Sequence, residues 1–192
     1  GVSGLDLYAR DRAGRWRWVA IAIPDVGSTE QKRTHQERLF RGLPREHRDY
    51  MLYLPLYNGV ESVEIGVAHG CTLEAAPPRT MKPIVFYGTS ITQGGCASRP
   101  GMTYVAMLGR RLDWPVTNLG FSGNGEMEPE VVDLLAQLDP AVYVIDCLPN
   151  MVHTEIRQRV GPLVEKLRAA HPETPILLVE DRSYQDSSWL ER

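Results

Sequence analysis

The chain has 192 residues, 43% of them hydrophobic, and 21 Lys and Arg against 24 Asp and Glu give a formal net charge of −3. Near balance of charge excludes an electrostatic footprint for nucleic acid, no apolar run is long enough to span a bilayer, and the length suits one full domain plus part of another. The three cysteines, Cys71, Cys96 and Cys147, form no C-x-x-C pair and have no zinc-ligand spacing. A full disulfide framework is therefore not expected, although one bridge stays open. No targeting segment is visible, and the compartment stays open between cytoplasmic and secreted.

From the N-terminus the texture is β-rich. Residues 4–10 alternate Leu5, Leu7 and Ala9 with polar neighbours, and after a turn at Gly14 the alternation resumes over 16–23. The basic residues Arg10, Arg12, Arg15 and Arg17, interrupted by Asp6 and Asp11, read as a solvated strand-and-turn surface. Residues 50–54 and 60–67 are further strand candidates, with the turn pair Asn58-Gly59 between them. Antiparallel strands in a small sandwich are the natural packing. The first strand starts so near residue 1 that the sandwich is expected to be incomplete.

Ala75-Ala76-Pro77-Pro78-Arg79-Thr80 is a stiff, proline-bearing stretch. The domains expected are a β-rich one over 1–76, a linker over 77–83, and a second domain over 84–192. In the second domain the rhythm becomes strand, helix, strand, helix. Strands are expected over 84–87, 116–119, 141–145 and 176–179. Helices are expected over 103–112, with Tyr104, Val105, Leu108 and Leu112 on one face, over 128–138, and over 153–170, where Gly161-Pro162 is a site for a kink or a split. Continuously apolar strands imply a parallel sheet with helices on both faces, a flavodoxin-like α/β class.

In such a sheet, ligands bind beyond the carboxyl ends of the strands. Three unusual segments fall there: 88–95, 120–125 and 146–153. Ser90, placed directly after a strand, has an exposed hydroxyl, and its own N–H can face an incoming carbonyl oxygen. Taken alone it reads equally as a helix N-cap. Gly123 alone reads also as a turn glycine, and Pro149-Asn150 as a turn pair. The α/β-hydrolase elbow is excluded because Thr92 stands two residues after Ser90, and a P-loop because no Gly-Lys-Ser/Thr follows. Gly120, Gly123 and Gly125 have the spacing G-x-x-G-x-G, which is not the dinucleotide fingerprint.

Gly88-Thr89-Ser90 after its strand resembles the first block of the SGNH (GDSL-type) hydrolases, usually Gly-Asp-Ser. Asn118-Leu119-Gly120-Phe121-Ser122-Gly123 is similar to the second block, with its glycine at Gly123. Asp146-Cys147-Leu148-Pro149-Asn150 resembles the third, with its asparagine at Asn150. The resemblance covers 82–179, and the β-rich region is more loosely similar to the sandwich that precedes the hydrolase domain in one branch. Thr89 departs from the usual aspartate, and Leu148 stands where the third block commonly has glycine.

The resemblance implies a serine ester hydrolase acting on small acyl esters, with carbohydrate O-acetyl groups as a candidate substrate. Ser90 would be the nucleophile. The N–H groups of Ser90 and Gly123 and the amide of Asn150 would form the oxyanion hole, and Thr89 and His153 are candidate substrate contacts. No metal, cofactor, nucleic acid or membrane is called for. The alternative is a non-catalytic carbohydrate- or protein-binding module that retains the oxyanion pocket.

The family's Asp-x-x-His does not occur in the chain. His35, His47 and His69 fall in the β-rich region, His171 at a helix end, and His153 three residues after Asn150. Residues 180–184 read as a loop at the active-site edge, and 189–192 as the start of a helix. The base is therefore expected from chain beyond residue 192, or from a separate fragment.

Overall fold

In a computed structural model, residues 4–24 and 34–181 are described. The loop and helix start expected near the C-terminus fall outside them from residue 182 onward. The chain divides into two units, Gly1–Thr80 with Gly94–Arg111, and Met81–Gln93 with Leu112–Arg192.

In the first unit β1 (Leu5–Arg10) pairs antiparallel with β2 (Trp16–Ala22) and with β3 (Tyr50–Tyr53), in the order β2-β1-β3. Asp11 shapes the β1–β2 turn: its Oδ1 accepts the N–H groups of Ala13 and Arg15, and Gly14 supplies a φ of 75°. Asp11 also receives the guanidinium of Arg17, which with these N–H groups holds its carboxyl well below the usual range.

The strand expected over 60–67 does not form. Val60, Val63, Ile65 and Val67 lie in irregular chain with their side chains exposed. Alternation marks a face, but a strand also needs a neighbour to take its hydrogen bonds, and among the described residues none pairs with this segment.

The short helix α1 (Ser90–Gln93) belongs to the second unit, and the first contains a 3-10 turn (Pro100–Met102) and all but the last residue of α2 (Tyr104–Leu112). The buried face of α2 is Val105, Ala106 and Gly109, while Leu108 and Leu112 are exposed. The face expected from apolar spacing is thus displaced, because small residues, not the largest ones, turn inward.

Asp6 does not lie on the solvated surface expected of its neighbours. It has no exposed surface, and it accepts Trp18 Nε1–H at 2.9 Å and Gly101 N–H at 2.9 Å, with Arg99 Nε at 3.3 Å. A buried carboxylate persists only when paired and hydrogen-bonded, and these three partners meet that need.

The second unit is a parallel sheet, as the apolar strands lead one to expect. β4 (Ile84–Gly88), β5 (Val116–Gly120), β6 (Val142–Asp146) and β7 (Ile176–Leu178) stand in the order β5-β4-β6-β7. Val85 and Tyr87 of β4 and Tyr143 and Ile145 of β6 point to one face. There they meet Val132 and Leu135 of α3 (Pro129–Leu135) and Leu163 and Leu167 of α4 (His153–Ala170). Each fully buried aliphatic side chain contributes roughly 1.5–3 kcal/mol. Phe86 and Val144, on the opposite face, are buried as well. α4 runs unbroken through Gly161-Pro162. The apolar contacts of Leu163 and Leu167, directly after the proline, offset the hydrogen bond it cannot make.

Candidate active site

The register of the sheet gathers the three unusual segments. Gly88, the last residue of β4, lies opposite Gly120 on one side and Asp146 on the other. The chain therefore leaves all three strands at one level and one edge. Glycine is needed at both strand ends. A Cβ on Gly88 would fall 2.2 Å from Thr92 Oγ1 and 2.4 Å from the Asp146 carbonyl oxygen, and one on Gly120 would fall 2.0 Å from the Gln93 nitrogen.

Ser90 opens α1 and is half-buried. Its hydroxyl makes no hydrogen bond among the described residues. Thr89 is buried, and its Oγ1 accepts the Ile91 N–H at 3.3 Å. It therefore braces the turn from beneath, with no exposed surface of its own. Thr92, also buried, donates to Asp146 Oδ2 at 3.0 Å, which ties α1 to the end of β6.

The second segment is held against the first by side chains reaching across. Asn118 donates to the Thr92 carbonyl at 2.8 Å, and its own Oδ1 accepts the Gly120 N–H at 2.9 Å. Gln93 Oε1 accepts the Ser122 N–H at 2.7 Å. Gly123 has a φ of 72°, the left-handed region, while a Cβ there would meet nothing within 4 Å. Its glycine is thus required by backbone conformation, and the space beside it is open.

The third segment turns through Leu148–Asn150 in a 3-10 turn. Asn150 Nδ2 donates to the Asn124 carbonyl at 2.7 Å, which joins the second and third segments. An amide carries two N–H donors, so one remains. His153 is exposed as the first residue of α4. His171 at the other end of that helix has its Nε2 3.0 Å from the Ala136 carbonyl, and His35 pairs with Glu37. The structure thus brings together Ser90, Gly123 and Asn150 through their loops. No hydrogen bond joins a described histidine to Ser90.

Two further groups lie under the site. Cys147 has no exposed surface, and burial pushes its thiol up to about 12, which leaves it neutral and inert as a nucleophile. Glu128 stands where a carboxylate suits a helix start. It does precede α3, but its carboxylate turns back into the loop. It accepts the N–H groups of Gly125 at 3.1 Å and Glu126 at 2.9 Å, and the hydroxyl of Tyr87. Burial pushes the Glu128 carboxyl up, but the Tyr87 hydroxyl and the backbone N–H groups outweigh it, and the net direction is downward. Burial and the same hydrogen bond push the Tyr87 phenol upward. The signal available in the sequence was Tyr87 itself, since a tyrosine in a buried apolar strand needs a partner for its hydroxyl. Among the described residues no three of His, Cys, Asp and Glu gather closely enough to hold a metal ion, and no helix is long and apolar enough to cross a membrane.

Residues 81–192 match the model of the GDSL-like lipase/acylhydrolase family. Residues 1–73 match a model described as the N-terminus of the SGNH-hydrolase type of esterase, and the Gly-x-Asp-Leu-Tyr of its name stands here as Gly4-Leu5-Asp6-Leu7-Tyr8. Among solved structures, the chain is similar to a GDSL-like lipase from Bacteroides ovatus, with 41% identity and a TM-score of 0.82, over 92% of this chain and 50% of that one. It is also similar to the salicylyl-acyltransferase SsfX3 of a tetracycline biosynthetic pathway, with 22% identity and a TM-score of 0.64, over 97% of this chain and 54% of that one. The second likeness concerns the fold alone. The chain spans about half the length of each of these two structures. No curated protein matches the chain.

Proposed function

The chain belongs to the GDSL-like lipase/acylhydrolase family, and we propose that it is a serine ester hydrolase working through an acyl-enzyme on Ser90. The observation that carries this reading is the position of Ser90. It stands at the carboxyl edge of the parallel sheet, its hydroxyl unengaged among the described residues, with the Gly123 and Asn150 loops cross-linked beside it.

Ser90 Oγ attacks the ester carbonyl carbon while its proton passes to a general base. The carbonyl oxygen becomes an oxyanion, which accepts hydrogen bonds from the N–H groups of Ser90 and Gly123 and from the free N–H of Asn150. Collapse expels the alcohol, and water then attacks the acyl-serine by the same route in reverse. Loss of one such donor raises the barrier by about 3–4 kcal/mol. The open space beside Gly123 suits a small acyl group. Residues 1–73 resemble the N-terminus of SGNH-type esterases, and carbohydrate O-acetyl esters are the substrate class we propose for this arrangement.

The test is the intact mass of the purified chain before and after a fluorophosphonate, for the wild type, Ser90→Ala and His153→Ala. With the segment that supplies the base present, one adduct on the wild type and none on Ser90→Ala is the expected result; the 192-residue chain alone is expected to react little. Persistence of the adduct in His153→Ala assigns the base to another residue, and its loss with the fold intact assigns it to His153. A folded wild-type protein that carries the base-supplying segment and still forms no adduct refutes the esterase and favours the binding module. Release of acetate from acetylated saccharides, compared with that from longer acyl esters, tests the substrate class.

A further inference from the structure

We propose that Glu128 is a positioning residue for the oxyanion loop, tied to the strand that carries the nucleophile through Tyr87. The inference rests on the reading of Ser90 and Gly123 given above. Tyr87 is on β4, three residues before Ser90, with no exposed surface. Its hydroxyl donates to Glu128 Oε2, which also accepts the Glu126 N–H, while Oε1 accepts the Gly125 N–H. One carboxylate thus takes three donors, one from the nucleophile strand and two from the residues directly after Gly123 and Asn124.

The neighbouring contacts show why this fixes the loop. Gly125 lies so close to β4 that a Cβ would fall 2.1 Å from the Gly88 carbonyl oxygen. Asn124 offers its carbonyl to Asn150, and Arg159 of α4 grips the Glu126 carbonyl at 2.8 Å. Movement of the Gly125–Glu126 peptides therefore carries Gly123 and Asn150 with it. The chemistry calls for a carboxylate, an acceptor-only group. A glutamine would turn its NH₂ toward one of the three donors. Bonds to an ionised acceptor are also about twice as strong as neutral ones. Glu130, two residues on and exposed, makes no such contact and serves as the control.

The experiment compares the wild-type protein, with the segment that supplies the general base present, with Glu128→Gln, Tyr87→Phe and Glu130→Gln in the same form. For each, kcat and KM on p-nitrophenyl acetate and the rate of fluorophosphonate adduct formation at Ser90 are divided by the folded fraction. Amide hydrogen exchange is followed over residues 123–126. Displacement of the oxyanion donors by about 1 Å lowers kcat by about a hundredfold. The expected result is a loss of that order, or within about tenfold of it, in Glu128→Gln and Tyr87→Phe. KM should stay within about twofold, exchange over 123–126 should be faster, and Glu130→Gln should match the wild type. Folded variants with wild-type kcat overturn the proposal. So does a loss that vanishes after correction for folded fraction, which would mark a structural role alone. A wild-type protein that carries the base-supplying segment but shows no Ser90-dependent adduct or turnover fails earlier, in the reference protein, and sinks the reading of Ser90 along with the proposal.

Discussion

Replacement of Gly120 by alanine puts the geometry of the site under direct strain. The new Cβ would lie 2.0 Å from the Gln93 nitrogen, 2.5 Å from Gln93 Cα and 2.6 Å from the Thr92 carbonyl carbon. Carbon contacts relax at about 3.5–4 Å, so backbone must move by about 1–1.5 Å, and no flexible side-chain end is available to yield instead. Overpacking of this kind costs about 1–3 kcal/mol and occasionally more, a large share of the roughly 5–15 kcal/mol that stabilises a domain. The segment that must move is α1, whose first residue is Ser90. The same substitution should therefore slow formation of the Ser90 adduct by about a hundredfold. Two glycines calibrate the result. Gly161→Ala meets nothing within 4 Å inside a helix and should stabilise by about 0.5–1 kcal/mol. Gly123→Ala also meets nothing, but its φ of 72° should cost about 1–2 kcal/mol. Urea denaturation ranks the three. A Gly120→Ala protein as stable as the wild type, with an unchanged adduct rate, would refute the claim that these two loops touch through backbone.

Asn150→Ala should lower kcat by about 10²–10³-fold with KM nearly unchanged, which steady-state kinetics on a small acyl ester will show. Iodoacetamide at pH 8 should modify Cys71 and Cys96, which are exposed, and spare the buried Cys147 until denaturant is added, as read by peptide mass spectrometry. Because the folded-state pKa of Glu128 is depressed, its contribution to stability is present above the unfolded value of about 4.3 and lost as pH falls through the lower folded value. Glu128→Gln should remove that part of the pH dependence of the urea midpoint, and an unaltered acid limb would contradict it. Asp6→Asn should destabilise by about 3 kcal/mol, since Arg99 loses its buried counter-charge; a change below about 1 kcal/mol would mean the cluster is loosely held.

The parallel sheet was legible because its central strands are apolar on both faces. Tyr143, Val144 and Ile145 of β6, for example, are all buried. The loops at its edge were legible because a glycine or a small polar residue stands where each strand must stop. Other features depend on partners that one sequence does not name. Residues 60–67 alternate as a strand would, yet pairing is decided by a neighbour and not by the segment. On α2, apolar spacing favoured Leu108 and Leu112, while Ala106 and Gly109 turn inward. Spacing is blind to how closely a helix packs. Asp6 sits among charges that read as a solvated surface, and no local pattern marks Glu128 as an acceptor for distant donors. Their partners Gly101 and Tyr87 lie 95 and 41 residues away in the chain, beyond any local pattern.

These distant polar contacts explain how a strained arrangement of three loops keeps one geometry. Apolar packing under the sheet fixes the strands, but the chain beyond their ends is glycine-rich and carries little side-chain volume to pack. Its order comes from bonds that each cross between loops: Thr92 to Asp146, Asn118 to the Thr92 carbonyl, Gln93 to the Ser122 N–H, Asn150 to the Asn124 carbonyl, and Glu128 to Gly125 and Glu126. Bonds in one network share their loops, so their losses should not add. Asn118→Ala combined with Glu128→Gln is expected to depart from the sum of the single effects on kcat by at least about 0.5 kcal/mol. Each single change removes one of several tethers on the Gly123 loop, whereas the double change removes one from each side and leaves only the Gln93–Ser122 and Asn150–Asn124 bonds among those named. Strict additivity would mean that the two side chains hold separate elements, and that the loop owes its position to Gly125 packing on β4 instead.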